Sequence, residues 1–143
     1  MIVPDCERTV LVVEDDQEVR DAIAEVLQDS EYKPLPASNG AEALERLRKA
    51  APRPCVILLD VMMPTMDGWQ FRAAQRNDPT MSDIPVVLLS AHTDVKSAAA
   101  QMQVAGFLPK PVAVDKLLQT VERFCAADRT ATIGASSGTG SAG

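Results

Sequence analysis

The sequence lacks the features that mark membrane-spanning, secreted and nucleic-acid-binding proteins. Its apolar runs are too short for a transmembrane helix, and the N-terminal residues lead quickly into acids rather than into a signal sequence. Basic residues are few, since 14 Lys and Arg stand against 20 Asp and Glu, for a formal net charge of −6. A surface that binds nucleic acid normally shows a basic patch. We therefore expect a cytoplasmic protein with no membrane segment and no direct nucleic-acid binding.

Cysteine is scarce as well, and its placement argues against a structural role. The three cysteines, Cys6, Cys55 and Cys125, are odd in number and widely separated. Their spacing matches neither a zinc site nor a disulfide framework, which predicts a protein of the reducing cytosol without disulfides. The chain of 143 residues is 46% hydrophobic and 24% charged, as expected of one globular domain with a sizeable core.

Apolar and amphipathic segments alternate along the chain. Apolar runs predict five strands, at 9–13, 33–37, 55–60, 84–90 and 106–109. Helical spacing of apolar residues predicts five helices, at 17–28, 40–50, 68–76, 94–103 and 114–126. The strands are continuously apolar, so the fold class is α/β, with a doubly wound parallel sheet that helices cover on both faces. The two prolines of 33–37 suit only an edge strand.

The composition changes near the end of the chain. Residues 1–126 contain the alternating pattern and are predicted to form the domain. Residues 127–143 are small, polar and without periodicity, which predicts a flexible Gly/Ser/Thr-rich tail or a truncated linker.

Several predicted strands carry a charged or hydroxyl group at the carboxyl end, where ligands bind in open α/β sheets. These groups are Glu14 and Asp15 after the first strand, Asp60 ending the third, Ser90 ending the fourth, and Lys110 after the fifth. Neighbouring carboxylates need a counter-charge, and an all-oxygen set suits Mg²⁺. A lysine and a hydroxyl can hold a phosphoryl group, for which a carboxylate is a known nucleophile.

Each of these residues, taken alone, has a plainer interpretation. Asp16 and Asp67 stand where helix caps are expected, as does Asn39. A single serine or lysine is more often an ordinary loop residue. The repeated placement of one such group at successive strand ends is what favours a functional site.

Four segments carry a resemblance to a known family: "VLVVEDD", "VILLDVMMPTMDGW", "VVLLSA" and "GFLPKP". Their order resembles that of CheY-like receiver domains of two-component response regulators, and the resemblance covers about residues 8–126. It implies a flavodoxin-like (βα)5 three-layer sandwich with a five-stranded parallel sheet of order 2-1-3-4-5. It also implies a phosphoacceptor signalling domain rather than an enzyme.

The resemblance assigns metal and acceptor roles to individual residues. Asp60 matches the phosphoacceptor. Glu14 and Asp15 match the acidic pair that places Mg²⁺, Asp15 directly and Glu14 through water. Met62 matches the position whose backbone carbonyl binds the metal. Glu14 departs mildly from the pattern, since Asp is commoner there.

The resemblance also assigns the residues that read the phosphoryl group. Lys110 matches the phosphate-pairing lysine, and Ser90 the hydroxyl position, where Thr is commoner. Phe107 falls at the switch aromatic. Phosphorylation is then expected to change the surface of the fourth helix, fifth strand and fifth helix. That surface would control a downstream protein or a fused output domain, or form a homodimer.

The expected phosphodonor is a histidine kinase or a histidine phosphotransfer protein, and three alternatives stay open. A metal-dependent phosphatase or phosphotransferase commonly has a second Asp two residues after its nucleophile, where this chain has Met62. A binding-only module would never turn over phosphate. The chain is either a stand-alone receiver or a fragment of a longer regulator or hybrid kinase.

Overall fold

The computed structural model describes residues 8–50, 53–61, 67–90 and 95–133, in which strands and helices alternate. The strands are β1 (Thr9–Val13), β2 (Lys33–Ala37), β3 (Val56–Asp60), β4 (Val86–Ser90) and β5 (Gly106–Pro109). The helices are α1 (Gln17–Asp29), α2 (Gly40–Lys49), α3 (Gly68–Arg76), α4 (Val95–Met102) and α5 (Val114–Ile133). The predicted alternation of strand and helix is confirmed. In the described part of the chain, no helix is long and apolar enough to cross a bilayer.

The five strands form one parallel sheet in the order β2-β1-β3-β4-β5. This confirms the flavodoxin-like fold, and it places the proline-containing β2 at an edge, as predicted. In the register, Val13 pairs with Leu59 and Ser90 pairs with Pro109. The residues that follow these pairs, Glu14, Asp60 and Lys110, are therefore carried to the same edge of the sheet.

Apolar side chains cover both faces of the sheet. Every residue of β1, β3 and β4 is buried, which confirms the prediction of continuously buried strands for these three, whereas the edge strands β2 and β5 are only partly buried. One face packs around Phe71 of α3, and the other packs around Leu27 of α1 and Val121 of α5. A sheet buried in this way leaves only its edges and strand ends for polar chemistry.

Polar side chains begin three of the helices at the positions that the sequence indicates. Asp16 accepts hydrogen bonds from the backbone N–H groups of Glu18 and Val19 at the start of α1. Asn39 accepts from Glu42 at the start of α2. Asp67 and Gln70 form a reciprocal capping box at α3. The caps fix where each helix leaves the edge of the sheet.

Two element boundaries differ by more than one residue from the sequence-based prediction. β4 begins at Val86 rather than at 84, because Pro85 lacks the N–H that a strand ladder requires. α5 continues to Ile133, so 127–133, assigned to the tail, are helical. Residues 127–133 lack the helically spaced apolar residues from which a helix is predicted, although their alanines and arginine have high helix propensity. Residues 134–143 lie outside the described part of the chain.

A disulfide between Cys55 and Cys125 shows that the expectation of no disulfide was wrong. Cys55 directly precedes β3, and Cys125 lies on α5, 70 residues further along the chain. Their Cα atoms are 5.3 Å apart, within the usual range for a disulfide, and both side chains are buried. The prediction used spacing along the chain, whereas packing of α5 against the sheet brings the two together. Cys6 lies outside the described residues.

Candidate functional site

Three carboxylates meet at the carboxyl ends of β1 and β3. Glu14 is fully buried, Asp60 is 4% exposed and Asp15 is exposed to solvent. One oxygen atom from each lies within 4.8 Å of the others, close enough to share one cation. The predicted grouping of these acids is therefore present. It arises because β1 and β3 are neighbours with their carboxyl ends aligned.

Lys110 supplies positive charge to this cluster from the end of β5. Its Nζ lies 2.6 Å from Glu14 Oε1 and 3.6 Å from Asp60 Oδ2. Its backbone N–H donates to the carbonyl of Ser90 at 2.9 Å, which holds the start of the β5–α5 connection against the end of β4. The ammonium group is thus shared by the two buried acids, and its shorter contact is with Glu14.

Glu14 is held through both its backbone and its side chain. Its N–H donates to the carbonyl of Ala37 on β2 at 3.0 Å. Its carbonyl accepts from Arg20 Nη1 at 2.7 Å, and its Oε2 accepts from the backbone N–H of Asp16 at 3.2 Å. Together with Lys110, these contacts fix the residue that joins β1 to the acidic loop.

The electrostatics of the cluster favour a proton or a cation. Burial and, after it, the neighbouring Glu14 charge together raise the pKa of the Asp60 carboxyl from its ordinary value to about 7, against the opposing pull of Lys110. Burial alone would lower the pKa of Lys110, but its hydrogen bond to Glu14 and the charge of Asp60 raise it. Lys110 therefore stays protonated. One lysine cannot balance three carboxylates.

The residues present fit a hard divalent cation. The three candidate ligands are all carboxylates, and oxygen ligands are those that Mg²⁺ prefers. With one ammonium among them, the ionised acids leave an excess of two negative charges, which one Mg²⁺ would neutralise. Met62, the predicted carbonyl ligand, lies outside the described residues.

Two further predicted residues lie on the strands that follow β3 in the sheet order, β4 and β5. Ser90 ends β4 and is 3% exposed, so it is buried at the carboxyl end of that strand. Phe107 lies on β5 opposite Leu88 and is 39% exposed. The structure thus brings Glu14, Asp15, Asp60 and Lys110 together at one edge.

Two residues of the site were not given a role from the sequence. Arg20 donates a hydrogen bond to the Glu14 carbonyl. In the sequence, its only signal is a long cationic side chain on the helix that follows the acidic residues. Gly68 donates its N–H to the carbonyl of Val61 at 3.0 Å. A Cβ at Gly68 would lie 2.8 Å from the Asp60 carbonyl oxygen, so glycine permits α3 to start directly against the end of β3.

Solved structures of similar fold include signalling proteins. The chain has a TM-score of 0.74 and 33% identity to the chemotaxis protein CheY4 of Vibrio cholerae, covering 81% of this chain and 97% of that one. It has a TM-score of 0.71 and 26% identity to the response regulator protein TrrA of Thermotoga maritima in complex with Mg²⁺-BeF, with the same two coverages, 81% and 97%.

Curated relatives include the response regulator MprA of several mycobacteria. The protein from Mycobacterium ulcerans (strain Agy99) is 37% identical over 111 residues, which are 76% of this chain and 46% of that protein. The protein from Mycobacterium tuberculosis (strain ATCC 25177 / H37Ra) is 36% identical over 111 residues, with the same coverages. The chain therefore spans about half the length of these relatives. Residues 10–122 match the family described as the response regulator receiver domain, and the chain belongs to that family of two-component signalling domains.

Proposed function

We propose that the protein accepts a phosphoryl group on Asp60, with Mg²⁺ bound beside it, from a histidine kinase or a histidine phosphotransfer protein. One observation carries this proposal. Asp60 is buried at the end of a central strand, yet its carboxylate lies beside two other acids and 3.6 Å from Lys110. A carboxylate in that position is destabilised until a cation and a phosphoryl group complete its surroundings.

The acceptor chemistry is a nucleophilic substitution at phosphorus. An Asp60 carboxylate oxygen forms the new P–O bond while the P–N bond of the donor phosphohistidine breaks, and the imidazole nitrogen keeps the electron pair. Glu14 and Asp15 would hold Mg²⁺, Asp15 directly and Glu14 through water, with the Met62 carbonyl as a further ligand. Bound Mg²⁺ would offset the charge of the acceptor and of the phosphoryl oxygens.

Lys110 and Ser90 would bind the transferred group. Lys110 already lies between Glu14 and Asp60, so a short movement of its flexible side chain would carry its charge to a phosphoryl oxygen. Ser90, on the neighbouring strand, would donate its hydroxyl hydrogen to a second oxygen. Glu14 would then lose part of its ion pair, which the bound cation would replace.

The phosphoryl group would be read out through the surface of α4, β5 and α5. It adds about two negative charges at Asp60. Movement of Ser90 toward it would let Phe107, partly exposed in this structure, turn inward on the next strand. The altered surface would control a downstream protein or an output domain, or pair with a second copy.

The wider setting belongs to the same proposal. The curated relatives are about twice as long as the matched region, so an output domain elsewhere in a longer protein and a stand-alone receiver are both compatible with it. We place the protein in the cytoplasm, where the disulfide would form only under oxidising conditions.

Intact mass measurement tests the acceptor. The metal-loaded protein is incubated with phosphoramidate, a small donor with a P–N bond, and should gain one phosphoryl group. Asp60→Asn should gain none, and a chelator should stop the reaction in the wild type. Asp16→Asn is the matched control, since it removes a neighbouring acid while asparagine retains the helix cap.

Three outcomes separate the alternatives. Full labelling of Asp60→Asn would refute the assignment of the acceptor. A binding-only module would show no mass gain in any variant. Continuous release of phosphate from a phosphomonoester, without a stable phosphorylated protein, would favour the phosphatase alternative.

A further inference from the structure

Arg20 makes an unusual contact for a helical arginine beside an acidic site. It lies on α1 and is half-buried, and its Nη1 reaches back to the carbonyl oxygen of Glu14 at 2.7 Å. It therefore binds the backbone of the acidic loop. Because the guanidinium remains charged, it places a cation near a site that must attract another cation.

Charge alone gives no functional reason for that arrangement. A positive group close to a divalent-cation site opposes metal binding, since like charges repel at short range. Removal of Arg20 would then tighten Mg²⁺ binding. The geometry suggests the opposite effect, because the carbonyl that Arg20 holds belongs to the peptide unit that joins Glu14 to Asp15.

That peptide unit controls the direction in which Asp15 leaves the chain. The peptide group is planar, so fixing the Glu14 carbonyl also fixes the Asp15 N–H. Glu14 itself is held by the Ala37 carbonyl and by Lys110. Asp15, in contrast, is exposed to solvent. Among the described contacts, the hydrogen bond from Arg20 is the one that holds the peptide unit between Glu14 and Asp15.

We propose that Arg20 is a positioning residue that orients the Glu14–Asp15 peptide and thereby sets the affinity of the acidic pair for Mg²⁺. The proposal deepens the proposed function and rests on it. Losing one charge-assisted hydrogen bond that preorganises a ligand should weaken Mg²⁺ binding roughly three- to tenfold. The repulsion of a nearby charge predicts a change of the opposite sign.

Calorimetric titration with Mg²⁺ alone distinguishes these two effects. Arg20→Met keeps a long apolar stem and removes both the charge and the donors, so we expect the weaker binding stated above. Arg20→Lys keeps one charged donor and should stay within about twofold of the wild type. Arg72→Met is the matched control. Arg72 lies on α3 rather than on α1, and like Arg20 it donates to backbone carbonyls, those of Met102 and Gln103.

A second readout needs no metal. In the metal-free protein, the amide of Asp15 should exchange with solvent faster in Arg20→Met than in the wild type or in Arg20→Lys. The change should stay local, with the amides of β3 unaffected. This measurement separates a misplaced loop from general loss of stability, and it remains informative if Arg20→Met binds metal too weakly for calorimetry.

The outcomes have distinct meanings. A wild type that does not bind Mg²⁺ would refute the proposed function. A wild type that binds, together with Arg20→Met that binds equally well or more tightly, would overturn the role of Arg20 while leaving the proposed function intact. Equal weakening in Arg72→Met would also overturn it, because the effect would then follow from stability or net charge.

Discussion

The two ends of the central sheet differ sharply in how they are held. At the carboxyl ends, Glu14 and Asp60 are buried carboxylates that share one lysine. At the amino ends, a disulfide ties the residue before β3 to α5. There, Arg8 also stacks at 4.0 Å on the ring of Tyr32 and donates to the carbonyls of Ser30 and Glu31. The same apolar strands connect the two ends.

The comparison shows that the candidate site and the disulfide lie at opposite ends of one scaffold. Buried like charges oppose folding, and the proposed acceptor chemistry of Asp60 depends on that unfavourable state. The crosslinked end lets the fold tolerate them, because the core and the disulfide supply favourable terms that the site lacks. Mutations at the amino ends should therefore change stability more than phosphorylation, and mutations at the carboxyl ends should affect both.

The largest expected effect comes from opening the disulfide. Since it closes a loop of 70 residues, its loss should lower the free energy of unfolding by about 4 kcal/mol. Urea unfolding of the oxidised and reduced protein measures the difference. Phosphorylation of the folded fraction should change little, because Cys55 and Cys125 lie at the end of the sheet away from Asp60.

A double variant provides the control for that measurement. Cys55→Ala with Cys125→Ala should be insensitive to reductant and should resemble the reduced wild type. Equal unfolding midpoints for oxidised and reduced wild type would show that the bridge does not stabilise the amino end of the sheet.

Glycine substitutions at the two ends give the next largest contrast. Gly68→Ala would place a methyl group 2.8 Å from the Asp60 carbonyl oxygen and 2.9 Å from Val61 Cα. The backbone must therefore move, which should lower the free energy of unfolding by about 2–3 kcal/mol. Gly106→Ala, at the amino end of β5, meets nothing closer than the flexible Arg123 side chain at 3.7 Å. Gly106→Ala should change the free energy of unfolding by about 0.5 kcal/mol or less. Equal losses, measured by urea unfolding, would contradict the close approach at the site.

The sequence predicted which residues lie together at the carboxyl ends of the strands but not the disulfide at the amino ends, for a physical reason. Asp60 and Lys110 follow apolar runs whose parallel pairing carries their ends to one edge, so local pattern is enough. The Cys55–Cys125 pair depends on how α5 packs, which spacing along the chain does not encode. Arg20 donates to the backbone carbonyl of Glu14. Every residue has such a carbonyl, so the residue type at position 14 does not reveal this acceptor.

Asp60→Asn should stabilise the metal-free protein in a pH-dependent way. The folded-state pKa of about 7 exceeds the ordinary value of 3.8, so the folded state binds this proton more tightly. The wild type therefore loses stability as pH rises from about 4 to about 7, whereas asparagine does not ionise. The full shift corresponds to about 4 kcal/mol, and relaxation of the charged site by water reduces this, so we expect Asn to gain about 2 kcal/mol at pH 8 and little near pH 4.

Urea unfolding in chelator at several pH values checks this expectation. Addition of Mg²⁺ at pH 8 should stabilise the wild type more than the variant and so reduce the difference, because the cation offsets the Asp60 charge. A pH-independent difference would show that burial of the charge is not its cause.

The smallest effect is expected from the ion pair at the stabilised end. Arg53 Nη2 lies 2.7 Å from Asp83 Oδ1, linking the chain before β3 to the loop before β4, but the side chains are 38% and 70% exposed. Because water and salt screen such a pair, Arg53→Ala should lower the free energy of unfolding by about 0.5 kcal/mol or less. A double-mutant cycle with Asp83→Ala should give a coupling energy of similar size. Raising the salt concentration should reduce that coupling further. A cost as large as that of opening the disulfide would mean that surface charge, rather than the buried bridge two residues along the chain, holds this end of the sheet.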